Sequence, residues 1–139
     1  MNRRELVRTY KETRRPMGVY RVRNLHDGRS LVGRSVDLPS ILNRERAALR
    51  LGAHGNAALQ RDWNALGPDA FAFEVLDTLA APDDGAAYDP LPDLDVLLAM
   101  WLERLEPYDE RGYMRRPTVR SELAARLAQR PTDTTTSAP

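Results

Sequence analysis

Arginine is the residue type in this sequence with the clearest chemical use, because its planar guanidinium group binds phosphate and carboxylate. The basic residues crowd the two ends of the 139-residue chain: Arg3, Arg4, Arg8, Lys11, Arg14, Arg15, Arg21 and Arg23 at the start, and Arg111, Arg115, Arg116, Arg120, Arg126 and Arg130 at the end. An acidic stretch separates them, and the net charge is only +1. Two basic ends on a nearly neutral chain predict a phosphate-binding face. The alternative is a solvated surface, since Lys11 is the only lysine and arginine is the general cation of this chain.

A second group of candidates lies between residues 41 and 56. Ile41, Arg44 and Glu45 are three and four residues apart and share one face of a predicted helix. On that face Arg44 can hold a phosphate and Glu45 a divalent cation, or both can be ordinary exposed side chains. His54 lies in a Gly-x-His-Gly-Asn segment, where it is either catalytic or, as this segment favours, closes the turn between two helices.

The sequence predicts no metal cluster and no thiol chemistry. The chain has no cysteine, so it has no disulfide, no thiolate zinc site and no thiol nucleophile. Its two histidines, His26 and His54, are far apart in sequence. The acidic pairs at 83–84 and 93–95 lack the glycine and terminal glutamate of a calcium-binding loop.

The pattern of apolar residues predicts an α+β fold with a small, mainly antiparallel three-stranded sheet flanked by helices. Two strands, Met17–Asn24 and Ser30–Ser35, are joined by an Asp27-Gly28 turn, and a third is predicted over 71–76. Helices are predicted from an Asp37 cap to Gly52, from an Asn56 cap to Gly67, and over 94–105. Gly33, inside the second strand, predicts a close backbone approach or a bulge.

The composition predicts one folded domain between basic arms. We expect a basic helix over 1–15, the domain over 16–114, a second basic helix over 115–130, and a disordered tail over 131–139, which is rich in threonine, serine and proline. Residues 80–92 are predicted to form an acidic loop, a candidate contact surface for a protein partner. The start of the chain has no secretory signal and no apolar run is long enough for a bilayer, so no membrane contact and a cytoplasmic location are expected.

Several short motifs in the sequence, taken in order, resemble those of the GIY-YIG nuclease superfamily. Gly18-Val19-Tyr20 resembles the first signature tripeptide, and Leu31-Val32-Gly33 stands where the second belongs. Further positions resemble strings in phage-type and bacterial members: Gly52, His54, Asn56, Leu59, Gln60, Trp63, Asn64, Gly67 and Phe71, then the helix around Trp101, and Gly112-Tyr113 with Met114 in place of the family's asparagine. The resemblance covers roughly 17–114 and implies the order β-β-α-α-β-α.

The resemblance implies cleavage of a phosphodiester bond, but most of the residues that the family uses are replaced here. Tyr20 retains the first tyrosine. The family's second tyrosine, its arginine, its histidine and its metal-holding glutamate correspond to Leu31, Ile41, Glu45 and Leu98. Leucine binds neither a proton nor a metal, so the resemblance implies a degenerate site.

Three functional hypotheses follow. The first is a nucleic-acid-binding protein, with DNA as its partner, no cofactor, and cleavage lost or reduced. Its former cleft would be lined by Arg21, Arg23, Arg34, Arg44 and Arg46, with Arg3, Arg4, Arg14 and Arg15 beside them. The second is an active endonuclease with a rearranged site of Tyr20, Arg44 and Glu45, which would use magnesium or manganese. The third is a protein-interaction domain that does not bind DNA.

Overall fold

The protein, described here by a computed structural model over residues 15–82 and 87–117, has the predicted α+β fold. Its antiparallel sheet has the strand order β2-β1-β3. The strands are β1 (Met17–Asn24), β2 (Ser30–Ser35) and β3 (Phe71–Leu79), and the helices are α1 (Leu38–Arg50), α2 (Ala57–Leu66) and α3 (Leu91–Leu105), with short 3-10 turns at Pro68–Ala70 and Asp109–Arg111. The order of the elements is therefore the one that the sequence predicts.

The ends of the helices depend on capping groups that the sequence indicates. The Asp37 carboxylate accepts a hydrogen bond from the Ser40 backbone N–H at 3.1 Å and begins α1. The Asn56 side chain accepts one from the Leu59 N–H at 3.0 Å and begins α2. Gly67, with φ of 88°, ends α2 in a conformation that favours glycine.

Helices cover both faces of the sheet, and strand alternation decides which side chains each face carries. Tyr20 and Val22 lie on the face covered by α1 and α2, where the main cluster of the core consists of Val22, Leu49, Leu59, Trp63, Phe71 and Tyr113. The other face carries Val19, and α3 packs there with Leu94 fully buried. Residues of β1 that are an odd number of positions from Tyr20 therefore have their side chains on the α3 side.

Several boundaries differ from the sequence prediction. The chain continues in β3 to Leu79, three residues past the predicted end, because Met17 and Gly18 pair with Leu79 and Thr78. The helix α3 begins at Leu91, inside the predicted loop 80–92, because proline is tolerated in a first helical turn.

The predicted basic arms lie mostly outside the described residues. Residues 1–14 and 118–139, including the predicted tail, are outside this range, as are 83–86 in the predicted loop. Residues 115–117, predicted to begin a helix, are not helical, since a helix usually ends before the residue that precedes a proline such as Pro117. Within the described residues, no helix is long and apolar enough to span a membrane.

Candidate active site

Three polar side chains from separate elements meet on the α1 face of the sheet. The Tyr20 hydroxyl, from β1, donates a hydrogen bond to Glu45 Oε1 on α1 at 3.3 Å. The other carboxylate oxygen, Glu45 Oε2, contacts His54 Nε2 from the segment between α1 and α2. The side chains of Glu45 and His54 are only 14% and 8% exposed. The predicted candidates Tyr20, Glu45 and His54 therefore form one shielded cluster.

The orientation of His54 is set by its own backbone surroundings. The Asn56 backbone N–H donates to His54 Nδ1 at 2.9 Å, so Nδ1 is the acceptor nitrogen. In a neutral imidazole the proton is then on Nε2, which donates it to Glu45. The His54 backbone N–H also donates to Gln60 Oε1 at 3.0 Å. His54 thus both closes the turn, as the sequence indicates, and holds the Glu45 carboxylate.

The surroundings of Tyr20 keep its proton on the phenol. Burial raises the pKa of Tyr20 far above its ordinary value, and the nearby negative charge of Glu45 and the hydrogen bond to it raise it further. The positive charge of Arg44 acts in the opposite direction but is the smallest of these effects. At neutral pH Tyr20 is therefore a hydrogen-bond donor and not a base.

Gly33 provides the space that the Tyr20 ring occupies. The two residues are paired across β1 and β2, and a Cβ atom at Gly33 would lie 2.6 Å from the Tyr20 hydroxyl oxygen. The predicted close approach at Gly33 is therefore made by a side chain and not by backbone. Gly33, the glycine of the second signature tripeptide, therefore has a packing role. This role remains although Leu31 stands where that tripeptide has a tyrosine.

The raised pKa of Tyr20 predicts a loss of stability at alkaline pH. Because the folded chain holds this proton more tightly than the unfolded chain, the stabilisation is complete below the unfolded pKa of about 10 and is lost as pH rises towards the folded value. Above about pH 10, the free energy of unfolding should therefore fall with pH more steeply for the wild type than for Tyr20→Phe. The difference between the two slopes should be up to about 1.4 kcal/mol per pH unit. Chemical denaturation between about pH 8 and pH 11 measures this. Equal slopes would contradict the assignment, and Tyr113, whose pKa is also raised, is unchanged in both proteins.

The leucines and isoleucine at the replaced family positions do not all surround Tyr20. Leu31 lies on the same sheet face, opposite Val22, and packs against the core cluster. It also lines an open cleft of about 550 Å³ with Asn56, Tyr113 and Arg115 among others. Ile41 is partly buried on α1.

Leu98 lies on α3, which packs against the opposite face of the sheet. The sheet therefore lies between Leu98 and the Tyr20 side, and of these two leucines Leu31 shares the face of Tyr20.

The residues present do not fit the divalent metal that the resemblance implies. No group of three histidine, cysteine, aspartate or glutamate side chains among residues 15–82 and 87–117 is placed to hold a metal ion. Glu45 is the only carboxylate in the cluster, and its two oxygens already accept from Tyr20 and His54. Oxygen-rich sites for magnesium or manganese need more free acceptors than this cluster offers.

Most of the predicted cleft arginines lie away from Tyr20. Arg21 and Arg23 alternate with Tyr20 and so lie on the α3 face, where both contact Glu74 on β3. Arg21 Nε is 3.3 Å from that carboxylate, and Arg23 Nε is 2.7 Å away but outside hydrogen-bond geometry. Arg34 pairs with Asp95 of α3 at 2.5 Å.

The other predicted arginines are placed differently. Arg44 is exposed on α1 and close enough to Tyr20 to influence its pKa. Arg46 lies over the Phe73 ring at 4.5 Å, and Arg15 is 3.9 Å from Asp37. Arg3, Arg4 and Arg14 fall outside the described residues. Of the predicted arginines that the structure describes, Arg44 is the one whose charge acts on Tyr20.

A second polar network was not predicted from the sequence. Tyr113 donates to Asp62 at 2.7 Å and accepts from the fully buried Asn24 side chain at 3.0 Å. Arg29 pairs with the same Asp62 and lies 4.7 Å from the centre of the Tyr113 ring. The signal available in the sequence was the position of Asn24, which follows Tyr20 and Val22 on the inward-facing side of β1.

Comparison with known proteins identifies the fold. No protein-family profile matches the sequence, and no curated protein matches it. Among solved structures, the catalytic domain of the homing endonuclease I-TevI is 23% identical in sequence, with a TM-score of 0.56, and the match covers 70% of this chain and 95% of that domain. A glutamate-to-alanine variant of the same catalytic domain, described as that of an intron endonuclease, is 22% identical with a TM-score of 0.52, over 66% of this chain and 84% of that one.

These similarities define a class of fold. I-TevI is a GIY-YIG endonuclease, and the three-stranded antiparallel sheet with its flanking helices is the architecture of that class. The fold that the signature motifs predict is therefore confirmed.

Proposed function

We propose that this chain is a nucleic-acid-binding protein with a GIY-YIG fold in which phosphodiester cleavage is lost or much reduced. Similarity in fold to an endonuclease catalytic domain supports nucleic acid as the partner. The arginine-rich composition supports the same partner, because phosphate contacts dominate the affinity of proteins for DNA.

The observation that carries the proposed loss of cleavage is the closed cluster of Tyr20, Glu45 and His54. Displacement at phosphorus needs a group that accepts a proton from water and positive charge held at the phosphate. Tyr20 has a raised pKa, and both oxygens of Glu45 accept hydrogen bonds from within the protein. The cluster therefore satisfies its own polar atoms and leaves few of them available to a substrate.

Binding is tested by a shift or anisotropy assay with single-stranded, duplex and branched DNA. We expect affinity to fall steeply as salt is raised from about 50 to 200 mM, because each phosphate contact releases bound counterions. Absence of binding to all three DNAs would contradict the proposal and would favour a protein-interaction domain. Affinity that does not change with salt would also count against phosphate contacts.

A second candidate function is hydrolysis at the rearranged site. It is favoured by one observation: the positive charge of Arg44 acts on Tyr20, beside the only carboxylate of the cluster, Glu45. In this arrangement Arg44 would hold the phosphate and Glu45 would accept a proton. Plasmid and branched-DNA cleavage with magnesium or manganese distinguishes the candidates, with wild type beside Tyr20→Phe and Glu45→Gln. Cleavage that either substitution abolishes would establish this second function, whereas cleavage that neither changes would exclude this site as its source.

A further inference from the structure

We infer that nucleic acid binds across the exposed sides of α1 and α2, through Arg44, Arg46, Arg50 and Arg61, and not through the arginines of the sheet. This α1–α2 surface, defined by those four arginines, deepens the proposed function and rests on it. Among the arginines that the structure describes, these four lie on α1 and α2 and are not neutralised by an acidic side chain.

The two helices carry few acidic residues. Between residues 38 and 66 the only acidic side chains are Glu45 and Asp62. Glu45 is bound by Tyr20 and His54, and Asp62 is bound by Tyr113 and Arg29. Both carboxylates are thus directed towards other groups of the protein and do not reduce the charge of the helix arginines.

In the part of the chain that the structure describes, the arginines of the two helices are free to bind an anion. Arg44, Arg50 and Arg61 are exposed and have no acidic partner within residues 15–82 and 87–117. Arg46 is partly buried, and its guanidinium lies on the Phe73 ring, which preorganises the group without neutralising it. Four cations on the helical layer of one sheet face therefore keep their full charge.

The helix α3, on the opposite face of the sheet, has the reverse balance of charge. Within Leu91–Leu105, the helix α3 carries Asp93, Asp95 and Glu103 against one arginine, Arg104. The sheet arginines on this side, Arg21, Arg23 and Arg34, are paired with Glu74 or Asp95. The helix α3 is therefore net acidic, whereas the helices α1 and α2 together are net basic.

A phosphate backbone is the partner that fits this surface. The 13 residues of α1 span about 20 Å. Arg46 and Arg50, four residues apart, share one side of this helix and can contact neighbouring phosphates, whereas Arg44 lies on another side, so DNA would have to curve around α1 to reach all three. Repulsion between DNA and the acidic helix α3 would favour the orientation in which α1 and α2 face the DNA. The charge of Arg44 also acts on Tyr20, so DNA held by Arg44 would lie on the side of the sheet that carries the closed cluster.

The test compares two triple variants that remove the same number of charges. The first is Arg44→Gln, Arg50→Gln and Arg61→Gln, which leaves Arg46 on its ring. The control is Arg104→Gln, Arg111→Gln and Arg116→Gln, which lie outside the two helices; Arg111 and Arg116 pair with Glu106 and Asp109. All six positions are exposed, so both variants should fold, which thermal melting verifies.

The expected result is a large difference between the two variants in duplex binding. Removal of three phosphate contacts should reduce the slope of log affinity against log salt by about 3 and weaken binding about tenfold or more, while the control keeps the wild-type slope. A first variant that retains the wild-type affinity and slope would overturn this inference and leave the proposed function standing. A wild type that binds no nucleic acid would overturn both.

Discussion

Glu45→Ala is expected to lower the free energy of unfolding by about 2–5 kcal/mol, because it leaves two shielded donors without an acceptor. These are the Tyr20 hydroxyl and the Nε2–H of His54, on side chains that burial removes from water almost completely. A buried donor without a partner costs about 1–3 kcal/mol, and here the substitution creates two. The cost should far exceed that of an ordinary exposed glutamate.

The matched control is Glu45→Gln, which keeps a carbonyl oxygen at the same place. It should lose less than Glu45→Ala, about 1–3 kcal/mol, since its oxygen still accepts one of the two hydrogen bonds and its amide nitrogen cannot accept the other. Urea denaturation of the three proteins measures both differences. If Glu45→Ala is as stable as Glu45→Gln, the cluster does not contribute to stability, and Glu45 is free for another role.

Gly18→Ala should also destabilise the protein strongly, by about 3 kcal/mol, because the obstruction is made of backbone atoms. A Cβ atom at Gly18 would lie 1.9 Å from the Asp77 carbonyl oxygen and 2.8 Å from the Thr78 Cα atom. These atoms belong to β3, where a bulge already interrupts the pairing with β1 between Val19 and Tyr20. Strand β3 cannot move away without losing hydrogen bonds along the ladder.

Gly55→Ala is the control for this substitution. No atom lies within 4 Å of a Cβ at Gly55, and its φ is outside the left-handed region. Its stability should change by no more than about 0.5 kcal/mol. Denaturation of both variants tests whether packing requires a glycine at position 18, in the first signature tripeptide. A Gly18→Ala protein as stable as Gly55→Ala would contradict that explanation.

The fold could be predicted from the sequence because its signals are local. Alternating Phe71 and Phe73, the Asp27-Gly28 turn, and the caps Asp37 and Asn56 each act within a few residues, and each has the predicted effect in the structure. The error at the end of β3 came from non-local pairing. The residues from Asp77 to Leu79 have no strand pattern of their own and are held in β3 by Met17 and Gly18.

The candidate site was less predictable, because its contacts join distant parts of the chain. Helix spacing placed Arg44 and Glu45 together, but only the folded chain shows that Glu45 lies between Tyr20, 25 residues earlier, and His54. Whether an arginine is neutralised also depends on pairing across the sheet, as for Arg21 with Glu74. The alternation of Arg21 with Tyr20 could have indicated from the sequence that the two lie on opposite faces.

The most direct measurement places the purified protein at saturating concentration on labelled duplex and branched DNA with magnesium or manganese. Binding is followed by anisotropy, and the same samples are then resolved on a denaturing gel. The closed cluster of Tyr20, Glu45 and His54 predicts full binding with the strands intact. Strands cut by the wild type but left whole by Tyr20→Phe, at equal occupancy, would contradict this prediction and show that the site still cleaves.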